Sequence, residues 1–338
     1  MKDIHITPRV SVIVATRNNA EHIEECLDSI LGQSLYELEV LATDVCSDDG
    51  TGEILVQYAD EDDRIRLMAD GYGSIGHAKN AAIDKAAAPF VMIVEPEDCL
   101  KPGAADLLYQ RFQEDPELDL VKGLAEGFGD GADTAVIKPG GSKKSVLGRW
   151  MIFQCAGMYR RSYLLNENIR HYDRPGFGRQ NIMMDFLGFI YSKSLLLSEV
   201  VYSRRLDAGK TWIGDPGAVF DVCAEYRALE ERLKIHPDKW SECRYGFWQS
   251  YIQSNLELYG MLARSLRPGL SSRMHDDIRS AVRMRDFDRG YFDESSRELM
   301  ELLLISPRMF DEEWERRDRD MTTGRIKKLI RIGKEDTA

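Results

Sequence analysis

The most constraining feature of the sequence is a regular alternation of short apolar runs with amphipathic segments between Val10 and Phe112. Runs such as VSVIVA, ELEVLAT and PFVMIVE have the length of buried strands, whereas HIEECLDSILGQ and GHAKNAAIDKAA have helical spacing. This alternation predicts an α/β fold with a mainly parallel sheet covered by helices on both faces. Ligands of such sheets bind at the carboxyl ends of the strands.

The pattern changes after residue 128. A further strand, LVKGLAEGF, is followed by a glycine- and lysine-rich stretch, residues 129–144, which we interpret as a lid or an acceptor loop. We expect a helix-rich stretch over 146–208 and a purely helical tail from Pro216 onward. The sequence therefore predicts two domains, 1–210 and a helical C-terminal extension 211–338, with the boundary between Asp207 and Gly217.

Composition and charge exclude several classes of function. A chain of 338 residues with 43% apolar residues can bury a full core, and its net charge of −12 argues against nucleic acid as a partner. The longest apolar run, 86–94, is too short to span a bilayer, and residues 1–14 lack the pattern of a signal peptide. We therefore expect a cytoplasmic protein, or one that docks to the inner face of the membrane.

Three carboxylates, Glu95, Glu97 and Asp98, follow directly after the predicted strand PFVMIV. Closely spaced carboxylates repel one another unless a cation lies among them, and their hard oxygen ligands suit Mg²⁺ or Mn²⁺ holding a diphosphate. The alternative interpretation is an acidic turn on the protein surface.

Polar side chains also follow the first two predicted strands. Thr16, Arg17 and Asn18 end the first strand, Glu21 stands at the start of the next helix, and Asp44 ends the second strand. Such groups beside a helix N-terminus can bind a base or a phosphate, although for the neighbouring Asn19, taken alone, a simple N-cap is the better explanation. Polar clusters at three successive strand ends favour a binding site.

The segments VSVIVATRNNAEHIEECLDSILGQS, TDVCSDDGT and GHAKNAAIDKAAAPFVMIVEPEDCLKP, in this order and spacing, resemble family 2 glycosyltransferases. The resemblance extends over about Arg9 to Arg205. It implies a GT-A fold, Rossmann-like in its parallel sheet, and an inverting enzyme of the hexosyltransferase type. Such an enzyme uses a nucleotide-diphosphate sugar, Mn²⁺ or Mg²⁺, and a carboxylate that deprotonates the acceptor hydroxyl. It further implies transfer to a glycan or lipid-linked acceptor in surface polysaccharide synthesis.

The resemblance also assigns roles to individual residues. The predicted donor-binding residues are those that match the family together with the polar residues beside them: Thr16, Arg17, Asn18, Glu21, Asp44, Lys79 and Glu97. The predicted metal ligands are the carboxylates Asp98, Glu97 and Glu95. Asp185 matches the aspartate of the family's Glu-Asp pair and is the predicted catalytic base, because it could accept the proton of the acceptor hydroxyl.

Four positions depart from the family pattern. Val45 replaces an aspartate that commonly meets the base of the nucleotide, and Glu95 replaces the first aspartate of the metal motif. Met184 replaces the glutamate beside the predicted base. Lys79 stands where the family has arginine, so the bidentate fork of a guanidinium is lost. These departures leave the donor nucleotide open.

Two other functions compete with this interpretation. Gly71, Gly73 and Gly76 spell G-x-G-x-x-G after the run RIRLMA, which is the dinucleotide-binding pattern of an NAD(P)-dependent oxidoreductase. That pattern normally follows the first strand of its domain, and here two strands precede it. Val45 and Met184 instead favour a non-catalytic GT-A-like module that binds a sugar or a protein.

The remaining signals lie toward the C-terminus. Residues 324–334 form a short basic amphipathic pattern, which either rests on an anionic membrane surface or packs as an ordinary basic helix end. Trp150 and Trp212 flank the predicted acceptor region, where indoles could stack on sugars. Long amphipathic helices near the C-terminus are compatible with a homodimer.

Overall fold

The computed structural model describes residues 7–68, 73–129, 155–174, 181–206, 218–288, 290, 292 and 294–320. The chain divides into two compact units, of which unit 1 contains all described strands and unit 2 contains the helices after residue 210. The strands of unit 1 are β1 (Val10–Thr16), β2 (Leu38–Asp44), β3 (Ile65–Leu67), β4 (Phe90–Ile93), β5 (Cys99–Leu100), β6 (Leu120–Phe128), β7 (Gly157–Arg160) and β8 (Ser194–Arg205). Its helices are α1 (Ile23–Leu31), α2 (Thr51–Glu61), α3 (Ile75–Lys85), α4 (Ala104–Glu114), α5 (Arg161–Asn166) and α6 (Ile182–Ile190).

The sheet of unit 1 is centred on β1, in which all seven residues are buried. A strand that is buried on both faces is typical of a parallel sheet between two layers of helices. β1 runs parallel to β2 on one side and to β4 on the other, and β2 runs parallel to β3. The full strand order is β3-β2-β1-β4-β7-β6-β8-β5. The predicted fold class, a mainly parallel α/β domain with a helical C-terminal extension, is confirmed.

The second half of the sheet differs from the sequence-based expectation. Residues 146–208 were predicted to be rich in helix, but β8 occupies twelve residues of this stretch and runs parallel to β6. β7 is antiparallel to both β4 and β6, and the short β5 is antiparallel to the end of β8. In SLLLSEVVYSRR the three consecutive leucines match neither the helical spacing nor the alternation of a half-buried strand, so the pattern does not identify the element. The Val-Val-Tyr segment that follows has the β-branched and aromatic side chains that pack well in a sheet.

Unit 2 consists of the helices α7 (Ala218–Lys234), α8 (Pro237–Met261), α9 (Arg267–Met284), α10 (Glu294–Ile305) and α11 (Pro307–Asp320). Its core contains a cluster of aromatic side chains, in which the rings of Tyr226, Phe247, Trp248 and Tyr251 pack edge to face at centroid separations of 5.1–5.5 Å. Among the helices that the structure describes, none combines the length and apolar character that crossing a bilayer requires.

Several features singled out in the sequence lie outside the described residues. These are Gly71 of the glycine pattern, residues 130–144 of the predicted loop, Trp150, Trp212, the predicted domain boundary at 207–217 and the basic segment 324–334. The division into domains 1–210 and 211–338 stays a prediction.

Candidate active site

The loops after β1 and β2 are joined by hydrogen bonds between side chains and backbone. The backbone N–H of Asn18 donates to the Ser47 hydroxyl (2.9 Å), and the N–H of Asp48 donates to Asn18 Oδ1 (3.0 Å). Both loops turn through left-handed backbone conformations, at Asn18 (φ 52°) and Cys46 (φ 56°). Because non-glycine residues rarely adopt positive φ, these turns indicate a backbone that the surrounding contacts hold in place.

Asp44 ends β2 directly opposite Thr16 at the end of β1. The Ser47 hydroxyl donates to Asp44 Oδ1, and the Ser47 N–H lies 3.3 Å from Oδ2. Gly52, in the first turn of α2, leaves room for this carboxylate, since a Cβ there would come within 3.2 Å of Asp44 Oδ2. The structure thus brings Thr16, Asn18 and Asp44 to one edge of the sheet, beside a helix N-terminus that favours negative charge.

The two other predicted residues of this region are Arg17 and Glu21. Arg17 is half-buried between Thr16 and Asn18. The Glu21 side chain is 87% exposed and reaches toward the ring of His22. An exposed carboxylate interacts weakly with its surroundings, so Glu21 contributes little to the fixed part of the cluster.

Val45 belongs to the core beneath these loops. It is 2% exposed and packs with Ala15, Ala78 and Ile75. Where the family commonly has an aspartate, this chain has an apolar contact between the β1–β2 edge and α3. The side chain at position 45 therefore cannot meet a nucleotide base without leaving its packing site.

Lys79 and Glu95 form a buried ion pair. Lys79, which is 1% exposed, donates from Nζ to both carboxylate oxygens of Glu95 at 2.8 and 2.9 Å. Burial alone would lower the pKa of Lys79, but the charge and hydrogen bonds of Glu95 outweigh it, so the pKa is raised. Asn181, just before α6, donates from Nδ2 to Glu95 Oε1 at 2.9 Å. One carboxylate thus joins α3, the end of β4 and the start of α6.

Asp98 is held by two donors from β8. The Tyr202 hydroxyl donates to Asp98 Oδ2 and the Arg205 N–H donates to Oδ1, both at 2.8 Å. The same Tyr202 oxygen accepts the N–H of Glu95 at 3.1 Å. Arg205 also donates from Nε to the carbonyl of Glu97 at 3.2 Å. The acidic loop 95–98 is therefore oriented by a strand that lies about a hundred residues farther along the chain.

The electrostatics of the acidic loop favour a cation. Burial, followed by the charge of Glu97, raises the pKa of Asp98 to about 7, and burial and Glu95 raise the pKa of Glu97. Within the described part of the chain, no three His, Cys, Asp or Glu side chains form a ready-made cation site. Mg²⁺ is commonly held by one or two carboxylates together with substrate phosphates, so Asp98 and Glu97 fit such a group. Glu95 is instead occupied by Lys79 and Asn181.

Asp185 lies in the first turn of α6. Its N–H donates to the Asn181 carbonyl at 2.8 Å, and its charge acts on Lys122 of β6 and Tyr159 of β7. The neighbouring Met184 is fully buried. The residue that replaces the family's glutamate has therefore become part of the core, and Asp185 is the carboxylate that α6 contributes.

Four residues of this region were missed from the sequence: Tyr202, Arg205, Asn181 and Lys122. Tyr202 and Arg205 were placed in a helix-rich stretch, so their position beside the acidic loop could not be expected. Lys122 did leave a signal, because a lysine interrupts the apolar strand LVKGLAEGF.

The described part of the glycine pattern of the competing oxidoreductase interpretation, Gly73 and Gly76, lies at the start of helix α3. The Ser74 hydroxyl caps this helix by accepting the N–H of His77 at 3.0 Å, and Gly76 lies in its first turn. Glu95, which would bind the ribose hydroxyls of a dinucleotide, is paired with Lys79.

Comparison with known proteins agrees with the resemblance predicted from the sequence. Residues 11–173 match the profile of the family described as glycosyl transferase family 2, so that prediction is confirmed. The chain is 33% identical over 118 residues to chondroitin synthase of Pasteurella multocida, covering 35% of this chain and 12% of that protein. It is 34% identical over 121 residues to the uncharacterized glycosyltransferase EpsJ of Bacillus subtilis, covering 36% of this chain and 34% of that protein.

Among solved structures, S. aureus TarS 1–349 in complex with UDP-GlcNAc aligns with a TM-score of 0.52 and 16% identity. The alignment covers 82% of this chain and 92% of that one, and at this identity it concerns the fold. The chain spans between about an eighth and a third of the curated relatives described above.

Proposed function

We propose that this chain, whose residues 11–173 belong to glycosyl transferase family 2, transfers a sugar from a nucleotide-diphosphate sugar to a hydroxyl group with inversion at the anomeric carbon. The contact that carries the proposal is the hydrogen bond from Asn181 to Glu95. It joins the acidic loop after β4, which is suited to a cation and a diphosphate, to the start of the helix that presents Asp185. The acidic loop and the base, both of which such a reaction requires, are thus connected through this hydrogen bond.

In the proposed site, Asp98 and Glu97 would hold Mn²⁺ or Mg²⁺. A bound divalent cation supplies positive charge to the diphosphate leaving group. Tyr202 and the backbone N–H of Arg205 fix the Asp98 carboxylate before any ligand binds, so the donor meets an oriented group. Thr16, Asn18 and Asp44, with Arg17 and Glu21 beside them, would contact the nucleotide.

Asp185 would act as the general base by accepting the proton of the acceptor hydroxyl as that oxygen attacks the anomeric carbon. A positioned base contributes typically about 10²- to 10⁴-fold to a rate. Lys79 is buried against Glu95 and would support the acidic loop rather than touch the donor.

A glycan or lipid-linked acceptor is supported by the relatives, which include a chondroitin synthase and a putative teichuronic acid biosynthesis glycosyltransferase. A cytoplasmic location and contact of residues 324–334 with the inner face of a membrane also stay proposals. Sedimentation with anionic liposomes tests the contact, since removal of residues 324–338 should then abolish binding. A homodimer is tested by light scattering of the full chain.

The test of the main proposal is a thermal-shift panel with UDP-, GDP-, CDP- and dTDP-sugars, with and without Mn²⁺. A ligand at a hundred times its dissociation constant adds about 2.7 kcal/mol to stability. We expect one nucleotide sugar to raise Tm in the presence of Mn²⁺ in the wild type and in the exposed control Asp63→Asn, but not in Asp98→Asn. NMR of the product with a hydroxyl acceptor then gives the configuration of the new bond.

The same panel distinguishes the competing functions. A shift with NAD or NADP alone, independent of metal, would support the oxidoreductase. A non-catalytic GT-A-like module is favoured by the buried Val45 and Met184. Such a module would bind a nucleotide sugar but form no product with a hydroxyl acceptor. An enzyme would form product as wild type, and in Asp185→Asn it would lose product formation while donor binding is retained.

A further inference from the structure

Asn80 on α3 pairs with both backbone groups of His171, which lies 91 positions farther along the chain. Its Nδ2 donates to the carbonyl of His171 at 3.0 Å, and its Oδ1 accepts the N–H of His171 at 2.8 Å. His171 is 2% exposed, and backbone groups at such a buried position need hydrogen-bond partners. Neighbouring strands exchange the same kind of paired hydrogen bonds. One amide side chain therefore fixes both the position and the direction of the chain at His171.

The same segment contacts α3 a second time, at the start of the helix. The Ser74 hydroxyl donates to Asp173 Oδ1 at 3.2 Å, and His77 Nδ1 lies 3.2 Å from Asp173 Oδ2. Ser74, His77 and Asn80 follow one another at intervals of three residues, so they are neighbours on one face of α3. The helix dipole also favours a carboxylate at this end of a helix. Residues 171–173 thus lie along the first half of α3.

The chain meets α3 again where α6 begins. The Nζ of Lys79, the residue before Asn80, lies 3.4 Å from Asn181 Oδ1, and the Asn181 carbonyl accepts the N–H of Asp185 at 2.8 Å. The connection between residues 173 and 181 therefore has both of its ends bound to one helix. A short connection with fixed ends leaves little freedom to the element that follows it. The contacts of α3 thus restrict where the helix that carries Asp185 can start.

We infer that Asn80 is a positioning residue for Asp185, because its hold on His171 fixes one end of the connection that leads into α6. The inference rests on the proposed function, in which Asp185 is the base. A general base has to lie within hydrogen-bond reach of the proton that it accepts, and a displacement of about 1 Å can cost about a hundredfold in rate. The same helix carries Lys79, which holds Glu95. The acidic loop and the base helix are therefore both placed by α3.

The first test compares Asn80→Ala and Asn80→Asp with Ile83→Val, a change at a fully buried position of the same helix. Alanine removes both hydrogen bonds, aspartate keeps the size of the side chain but loses the donor, and valine only loosens the packing of α3. Well below Tm, we expect kcat to be about tenfold lower or more in both Asn80 variants, with the donor KM within about twofold of the wild type. Ile83→Val should keep the wild-type kcat. The inference is overturned by an unchanged kcat in either Asn80 variant, by an equal loss in Ile83→Val, or by a donor KM that rises as much as kcat falls.

Hydrogen exchange followed by mass spectrometry separates this inference from the proposed function, because it needs no reaction. We expect the backbone amides of α6, residues 182–190, to exchange about tenfold faster in Asn80→Ala than in the wild type, while those of β1 keep their rates. Unchanged exchange in α6, or an equal increase in β1, would show that Asn80 does not hold α6 in place. If the wild type transfers no sugar, the proposed function fails, while the exchange rates still report on the hold of α3 on α6.

Discussion

The Tyr202 hydroxyl lies between two groups of the acidic loop, donating to the carboxylate of Asp98 at 2.8 Å and accepting the N–H of Glu95 at 3.1 Å. Tyr202 is 1% exposed, so this oxygen has little contact with water. A single phenol oxygen from β8 therefore sets both the start and the end of the loop after β4. Its removal leaves the buried Asp98 carboxylate with one donor fewer and takes the Tyr202 acceptor from the N–H of Glu95.

Tyr202→Phe should destabilise unit 1 by about 1–3 kcal/mol, because a buried hydrogen bond to a carboxylate is lost. It should also raise the pKa of Asp98 further, since the Tyr202 hydrogen bond opposes the upward shift. Urea unfolding measures the first effect, and Mn²⁺ titration of the donor-dependent thermal shift measures the second. Tyr36→Phe, at an exposed tyrosine, is the control and should leave both unchanged.

Lys79→Met should cost about 3 kcal/mol, because it removes the ammonium that pairs with the partly buried Glu95 carboxylate. The double variant Lys79→Met with Glu95→Gln should recover much of this loss, since glutamine is neutral and can still accept from Asn181. Lys101→Met removes an ion pair to Glu126 that is far more exposed, and should cost under about 1 kcal/mol. Equal losses for Lys79→Met and Lys101→Met would contradict the importance of burial.

The contribution of Asp98 to the stability of the metal-free protein should fall as pH rises from about 4 to 7. The folded pKa of Asp98 is about 7 against an unfolded value of 3.8, so the folded state binds the additional proton in this range. The contribution is on the order of 4 kcal/mol. We therefore expect Asp98→Asn to gain stability relative to the wild type between pH 5 and pH 8. A difference that stays constant across this range would show that Asp98 is already ionised at pH 5.

Val45→Asp should not restore a base-reading aspartate, because position 45 packs between Ala15 and Ala78. A buried carboxylate without a partner should cost about 3 kcal/mol or more, or force the loop to rearrange. Val56→Asp, at a half-exposed position of α2, should change stability by less than about 0.5 kcal/mol. Thermal unfolding compares the two, and tighter binding of any nucleotide by Val45→Asp would contradict the packing argument.

The sequence was most informative where local pattern decides structure. The uninterrupted apolar residues of β1, β2 and β4 predicted a buried parallel sheet, and Glu97 and Asp98 were predicted at a strand end. β8 was not predicted, because Leu195 to Leu197 fit neither helical nor strand spacing and only pairing with β6 selects the strand. The donors to Asp98 were missed for the same reason, since Tyr202 is 104 positions away from it.

The pairing of β5 with the end of β8 also has a consequence for how the protein matures. Contacts between distant parts of a chain form slowly, because the intervening loop must close first. A nascent chain that has emerged only as far as α6 contains β1, β2 and β4, but lacks Tyr202 and Arg205. Its sheet can begin to assemble while the acidic loop still has no fixed orientation. If the proposed function holds, competence to bind a cation at this loop is therefore gained late in synthesis.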